Sequence, residues 1–158
     1  MKVKQQEERE NMQFLKRKVE DKRDEAIILQ YTNWSKNLEE ISDFILNKGK
    51  QITGYGENRE MYQIRVTDIL YFEAVGELVF AYTKDKVYEI KMRLYQIEQS
   101  TKDAQMVRGS KSIVVNIRHI ESVRPALNGR LYATMANGEE VLISRQYAKE
   151  VTEQIMAS

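Results

Sequence analysis

The stretch Asp68-Ile-Leu-Tyr-Phe-Glu-Ala-Val-Gly-Glu-Leu-Val-Phe-Ala-Tyr-Thr83 decides the fold class. Two apolar runs of strand length, Ile69 to Ala74 and Leu78 to Thr83, flank Val75-Gly76-Glu77. Such runs, rich in aromatic and branched residues and broken by a glycine, predict a β-hairpin. The same pattern continues on both sides. Period-two or short apolar runs predict further strands near Tyr62 to Arg65, Lys86 to Ile90, Ile113 to Asn116, Ile120 to Pro125, Arg130 to Thr134 and Glu140 to Ile143. Lys84-Asp85, Asn128-Gly129 and Asn137-Gly138 supply the turns between them. Both Asn-Gly pairs predict type I′ turns, whose two central residues need positive φ. From Met61 onward the chain therefore reads as a mainly β, antiparallel (α+β) domain with two short helices. One spans Met92 to Thr101 and crosses an end of the sheet. The other spans Gln146 to Met156, with Tyr147, Val151 and Ile155 on one face.

Residues 1–60 read as a charged extension to this domain of residues 61–158. Within residues 1–24 both charges are densely mixed, which fits either a charged helix with a frayed start or a disordered lead followed by a hairpin. The hairpin, with strands at Phe14 to Val19 and Ala26 to Tyr31, is the preferred reading because Ala26 to Thr32 is rich in β-formers. Thr32 or Asn33 then caps a helix over Trp34 to Asn47, with Trp34, Leu38, Ile41 and Ile45 at helical spacing. That face is expected to complete the protein's own core. Lys48 to Tyr55, bearing Gly49 and Gly54, reads as a bent connector.

The totals exclude several chemistries. The chain has 158 residues, 42% hydrophobic and 31% charged, as expected of a soluble globular protein with room for one domain and an extension. No apolar run is long enough to span a bilayer, and the charged first ten residues do not resemble a signal peptide, so a cytoplasmic address is expected. The lack of cysteine excludes disulfides and thiolate chemistry, and the single histidine, His119, removes most imidazole-based catalysis and metal binding. No paired acids or nucleophile triad is visible. Neither an enzyme nor a cofactor is expected.

Positive charge is instead concentrated locally. The chain carries only +1, yet Arg108 to Arg130 holds five Lys/Arg against one acid. A one-signed patch on a near-neutral protein is a candidate polyanion footprint. Within it, Arg108-Gly-Ser-Lys-Ser112 places hydroxyls, an ammonium and a glycine just before the apolar Ile113-Val114-Val115. Gly109 allows close backbone approach, Ser110 and Ser112 can donate to phosphate oxygens, and Lys111 can reach a base edge. The alternative is an ordinary solvated turn. Ser144-Arg145-Gln146 is a second loop of this kind, leaving a strand and entering the last helix. Ser144 reads as that helix's N-cap. Arg145 at a helix start opposes the macrodipole, which an anionic partner would explain; a surface ion pair with Glu150 or Glu140 is the alternative. His119, Asn116 and Glu73 read as structural, and Tyr71, Phe72, Phe80 and Tyr82 as core packing rather than a stacking platform.

These residues carry a resemblance. Asp68-Ile-Leu-Tyr-Phe-Glu-Ala74, Arg108-x-x-Lys-Ser-Ile-Val-Val-Asn116 followed by Ile120, Pro125-x-x-Asn-Gly-Arg130 and Ser144-Arg145-Gln-Tyr147 resemble the LytTR DNA-binding domain of bacterial transcription regulators, in order and spacing. The resemblance implies an elongated, mostly antiparallel β fold that inserts loops into successive major grooves of double-stranded DNA, at paired short repeats about one helical turn apart. Carried over by position, it implies base contacts from Lys111 and Arg145. Phosphate contacts fall to Arg108, Ser110, Ser112, Ser144 and Gln146. A first contact loop lies at Val75 to Val79, where Val79, preceded by Glu77, stands in place of the histidine of some members, with Glu77 and Val79 as its candidate contacts. Met106 replaces a usual aromatic. About 60 residues precede the β domain, too few for a receiver domain, so the resemblance is to stand-alone members, which are often restrained by a small membrane protein. Paired repeats also admit a dimer on DNA. The competing function is a protein-interaction β domain that binds a membrane-anchored partner, with the basic loops incidental.

Overall fold

The structure, a computed structural model, describes residues 15–47 and 49–158. The chain divides into two units between Thr32 and Asn33. In the described part of the first unit, Asp21 accepts the Arg23 backbone N–H at 2.9 Å and caps a 3-10 turn over Lys22–Asp24. The expected hairpin is not there: Leu15 to Val19 and Ala26 to Tyr31 form no strand, and Phe14 lies outside the described residues. Ile27 and Ile28 are 71% and 75% exposed, so β propensity finds no apolar surface to cover. An isolated two-stranded ribbon is marginal in water without one.

The second unit holds helices α1 (Lys36–Asn47), α2 (Leu94–Ser100) and α3 (Arg145–Ala157) and ten strands. The strands are β1 (Gln51–Tyr55), β2 (Met61–Arg65), β3 (Ile69–Val75), β4 (Leu78–Thr83), β5 (Val87–Ile90), β6 (Met106–Ser110), β7 (Ile113–Asn116), β8 (Ile120–Pro125), β9 (Leu131–Met135) and β10 (Glu140–Ile143). Seven form one sheet in the order β2-β1-β5-β4-β3-β7-β6, and three form a second in the order β10-β9-β8, with antiparallel pairing throughout. The predicted antiparallel β class with short helices is the observed one. No helix of the described residues is long and apolar enough to cross a membrane.

The large sheet has a core on each face. Phe72, Val79, Ala81, Ile90 and Val114 pack with Leu94 and Ile97 of α2 on one side. Tyr71, Val115 and Ile117 pack with Ala133, Met135, Val141 and Ile143 of the small sheet and Val151 of α3 on the other. β3 lies between the two cores, which is why Ile69, Leu70, Tyr71 and Phe72 are all buried rather than alternating. As expected, α3 contributes Tyr147, Val151 and Ile155 to its core.

Four local expectations are corrected. Ser35, not Thr32 or Asn33, begins α1: its hydroxyl accepts the Leu38 N–H at 3.3 Å and its carbonyl the Glu39 N–H at 3.0 Å. The supposed connector contains β1, paired to β2 and β5. Its Gly54 marks close packing rather than a bend, since a Cβ there would fall 2.5 Å from Ile64 Cδ1 and 2.8 Å from Tyr88 Cβ. Met106 to Ser110, assigned no strand from sequence, is the edge strand β6, bulged at Gly109 because Arg108 pairs with Val114 and Ser110 with Ile113. Finally, only one Asn-Gly pair forms a type I′ turn. Asn128 and Gly129 both have positive φ, whereas at Asn137-Gly138 only the glycine does. There Gly138 N–H donates to the Met135 carbonyl at 2.8 Å, giving a type I turn followed by a bulged glycine.

Candidate nucleic-acid interface

The turn between β6 and β7 carries Ser110, Lys111 and Ser112. Ser112 N–H donates to Ser110 Oγ at 3.2 Å, and the two hydroxyls lie 3.3 Å apart. The Ser112 carbonyl accepts Ala74 N–H at 2.8 Å, which fastens the turn to β3 beside the β3–β4 hairpin tip. Lys111 projects from this braced turn, exposed, with no hydrogen-bond or ion-pair partner among the described residues.

The second predicted loop meets the first. Ser144 N–H donates to the Gly109 carbonyl at 2.9 Å, so the β10–α3 junction is hydrogen-bonded to the strand that feeds the Lys111 turn. Ser144 occupies the N-cap position of α3, as expected, and its carbonyl accepts from Tyr147 and Ala148 N–H at 3.0 Å each. Its hydroxyl makes no capping bond, so it is not spent on the helix. Arg145 and Gln146 follow, both exposed. The ion pair considered for Arg145 is absent among the described residues: Glu140 is held bidentately by Arg124, at 2.9 and 3.1 Å from Nη2. A helix-opening arginine without a neutralising acid retains an unfavourable interaction with the macrodipole, which an anion or a guanine edge would offset.

The other sequence-selected residues are differently disposed. Arg108 is only 19% exposed and pairs with Glu98 of α2 at 3.5 Å, and its Nη1 is buried without a hydrogen-bond partner. A phosphate contact from it requires turning away from Glu98. Val79 is 5% exposed in the core, paired with Ala74 and Ile90, so it is withdrawn as a first-loop contact. Strand alternation turns Val79 inward and leaves Val75, Glu77 and Leu78 exposed at the hairpin tip. Of the local charge excess, Arg124 is committed to Glu140 and to the Tyr132 ring, 4.2 Å away, and Arg130 Nε to the Leu127 carbonyl at 3.0 Å.

The residues read as structural are so. Asn116 is buried, donates from Nδ2 to the Ile69 carbonyl at 2.9 Å and accepts Arg118 N–H at 3.1 Å. His119 Nε2 lies 2.7 Å from the Thr67 carbonyl. Tyr71 and Tyr82 stack with centroids 4.3 Å apart; their hydroxyls donate to Glu139 and Glu73 at 2.6 and 3.1 Å. Burial, then these carboxylate bonds, push both phenols above their ordinary range. Sequence reasoning missed Glu98 and Glu139 as partners. Leu94, Ile97 and Glu98 lie three and four residues apart in the sequence, a spacing that indicates a shared helix face but not an arginine opposite it.

The two basic loops meet at one end of a two-sheet β scaffold in which no two α-helices follow one another among the described residues, so these residues form a β-based domain and not a helix-turn-helix. The model of the LytTr DNA-binding domain family matches residues 59–156, and the chain belongs to that family. An uncharacterized HTH-type transcriptional regulator of Staphylococcus aureus (strain NCTC 8325 / PS 47) is 29% identical over 110 residues, covering 70% of this chain and 74% of that protein. A relative of the same description from the bovine strain RF122 / ET3-1 is 28% identical over 110 residues, with the same coverage. A solved LytTr DNA-binding domain from Bacillus cereus shares the fold, with a TM-score of 0.62 and 24% identity over 68% of this chain and 98% of that one.

Proposed function

We propose that this protein is a transcription regulator that binds double-stranded DNA sequence-specifically, reading base edges with Lys111 and Arg145 from neighbouring loops and reaching successive major grooves as paired copies. The observation that carries the reading is the bond from Ser144 N–H to the Gly109 carbonyl, which makes one unit of two loops whose terminal cations have no protein partner among the described residues. Ser110, Ser112, Ser144 and Gln146 supply phosphate contacts, with Arg108 joining them on release from Glu98. Glu77 borders the groove from the β3–β4 tip. Paired short repeats about one helical turn apart would take one copy on each repeat, so that a dimer occupies the site. The protein acts in the cytoplasm without a catalytic step, and restraint by a small membrane protein is part of the same reading.

Binding-site selection from random duplex DNA tests it. Lys111→Ala and Arg145→Ala are each expected to cost about 1–3 kcal/mol and to relax preference at separate base positions. A mutant that retains the wild-type preference at every position removes its residue from base reading.

A further inference from the structure

We infer that Gly129 is a positioning residue for Arg145, its missing Cβ making the space in which the Arg145 stem lies against the β8–β9 turn. This rests on the base-reading role proposed for Arg145. The turn itself is braced: Ala126 N–H donates to the Arg130 carbonyl at 2.9 Å, Arg130 N–H to the Leu127 carbonyl at 3.4 Å, and Arg130 Nε to the same carbonyl at 3.0 Å. A Cβ on Gly129 would fall 2.9 Å from Arg145 Cγ and 3.0 Å from Cδ. Carbon atoms settle about 3.5–4.0 Å apart, so the two cannot share that space. Because the turn is pinned by three hydrogen bonds and the arginine stem is flexible, the arginine is the one that moves.

The contact supplies what the rest of the site lacks. Arg145 is exposed, begins a helix and has no ion pair among the described residues, so nothing else restrains its long side chain. An unrestrained arginine loses rotamer freedom on engaging a base, and bidentate recognition tolerates little misplacement. A stem laid along a rigid turn has part of that freedom removed before DNA arrives. Gly138, on the small sheet's other turn, isolates the effect. Its φ is +84° against +72° at Gly129, yet a Cβ there would meet nothing within 4 Å. Gly138 satisfies a turn, whereas Gly129 satisfies a turn and makes room for a neighbour.

Asparagine tolerates positive φ but carries a Cβ, so Gly129→Asn and Gly138→Asn impose similar backbone demands while only the first displaces Arg145. Each variant is compared on the duplex enriched from a random library and on its single-base variants. Gly129→Asn is expected to reduce discrimination at the base pair read by Arg145 on the order of tenfold, leaving the Lys111 position and the Gly138→Asn control unchanged. Added to Arg145→Ala, it is expected to lose nothing further at that base pair. Full discrimination by Gly129→Asn, where Arg145→Ala has lost it, overturns the inference and leaves base reading by Arg145 intact. If Arg145→Ala itself keeps discrimination, the base-reading role fails and this inference with it. Should Gly129→Asn not fold, recovery of its melting temperature by Arg145→Ala supports the stem as the obstacle, and absence of recovery overturns it.

Discussion

Gly109→Ala tests whether the two reading loops are held by close packing. A Cβ at position 109 would lie 2.8 Å from Ile143 Cδ1, 3.5 Å from Ile113 Cγ2 and 3.7 Å from Val115 Cγ1. The last two are ordinary contacts. The first is about 0.7–1.2 Å too short, so Ile143 Cδ1, on a fully buried residue, must shift within a close-packed core. Overpacking of this kind costs about 1–3 kcal/mol. Restricting the unfolded chain by exchanging glycine for alanine returns about 0.4–1 kcal/mol. The expected net loss is between about 0 and 2.6 kcal/mol, measured by urea unfolding. Because Ser144 N–H donates to the Gly109 carbonyl at 2.9 Å, the displacement also shifts the Arg145 loop relative to the Lys111 turn. Discrimination should therefore fall at both base positions. Ile143→Val deletes Cδ1, the offending atom; alone it costs about 0.5–1.5 kcal/mol, but combined with Gly109→Ala it should recover about 1 kcal/mol relative to additivity. Strictly additive stabilities, together with unchanged base preference in Gly109→Ala, would refute the reasoning.

Two further outcomes follow from partners found only in the structure. Arg108→Ala is expected to weaken binding to all duplexes alike and to lower the slope of log K against log salt by about 0.9, the release of one counterion; an unchanged slope would confine Arg108 to its contact with Glu98. The raised phenols of Tyr71 and Tyr82 hold protons that the unfolded chain gives up near its ordinary tyrosine pKa of about 10. Their stabilisation is complete below that pH and is lost as pH rises above it, because the folded state then binds more protons than the unfolded one. Urea unfolding between pH 8 and 11 should show this decline. Tyr71→Phe with Tyr82→Phe should flatten it, and an equally steep decline in the double variant would contradict the assignment.

The sequence exposed most of the fold where one physical signal dominated. The hairpin of β3 and β4 was legible because its apolar runs and Gly76 point the same way, and α3 because Tyr147, Val151 and Ile155 share a face. Failures came where one residue type serves two purposes. Gly54 looked like a bend, yet it sits within β1 because Ile64 and Tyr88 occupy the space of its side chain. Gly109 made β6 look like a loop, yet the strand continues through a bulge. Asn137-Gly138 matched Asn128-Gly129 in letters but closed by another turn, which only the backbone path between the strands decides. Ala26 to Tyr31 has the composition of a strand, but composition supplies no partner surface.

At the candidate site, the cations are visible in the sequence and their protein partners are not. Lys111 and Arg145 stood out as cations at the ends of predicted strands, but charge alone ranked Arg108, Arg124 and Arg130 beside them. The structure separates these residues by what already neutralises or binds them: Glu98, Glu140 and the Leu127 carbonyl. This separation bears on how DNA is bound. A chain of net charge +1 has little long-range field to draw it to a polyanion. With Arg108, Arg124 and Arg130 engaged by protein groups, fewer of the cations in this segment are free to displace counterions, and a shallow salt dependence is expected of the proposed contacts. On the proposed function, discrimination then rests on a few well-placed contacts to base edges. That demand fits a scaffold in which a backbone hydrogen bond ties one proposed reading loop to the other, and a missing Cβ leaves the second loop's arginine room to lie flat.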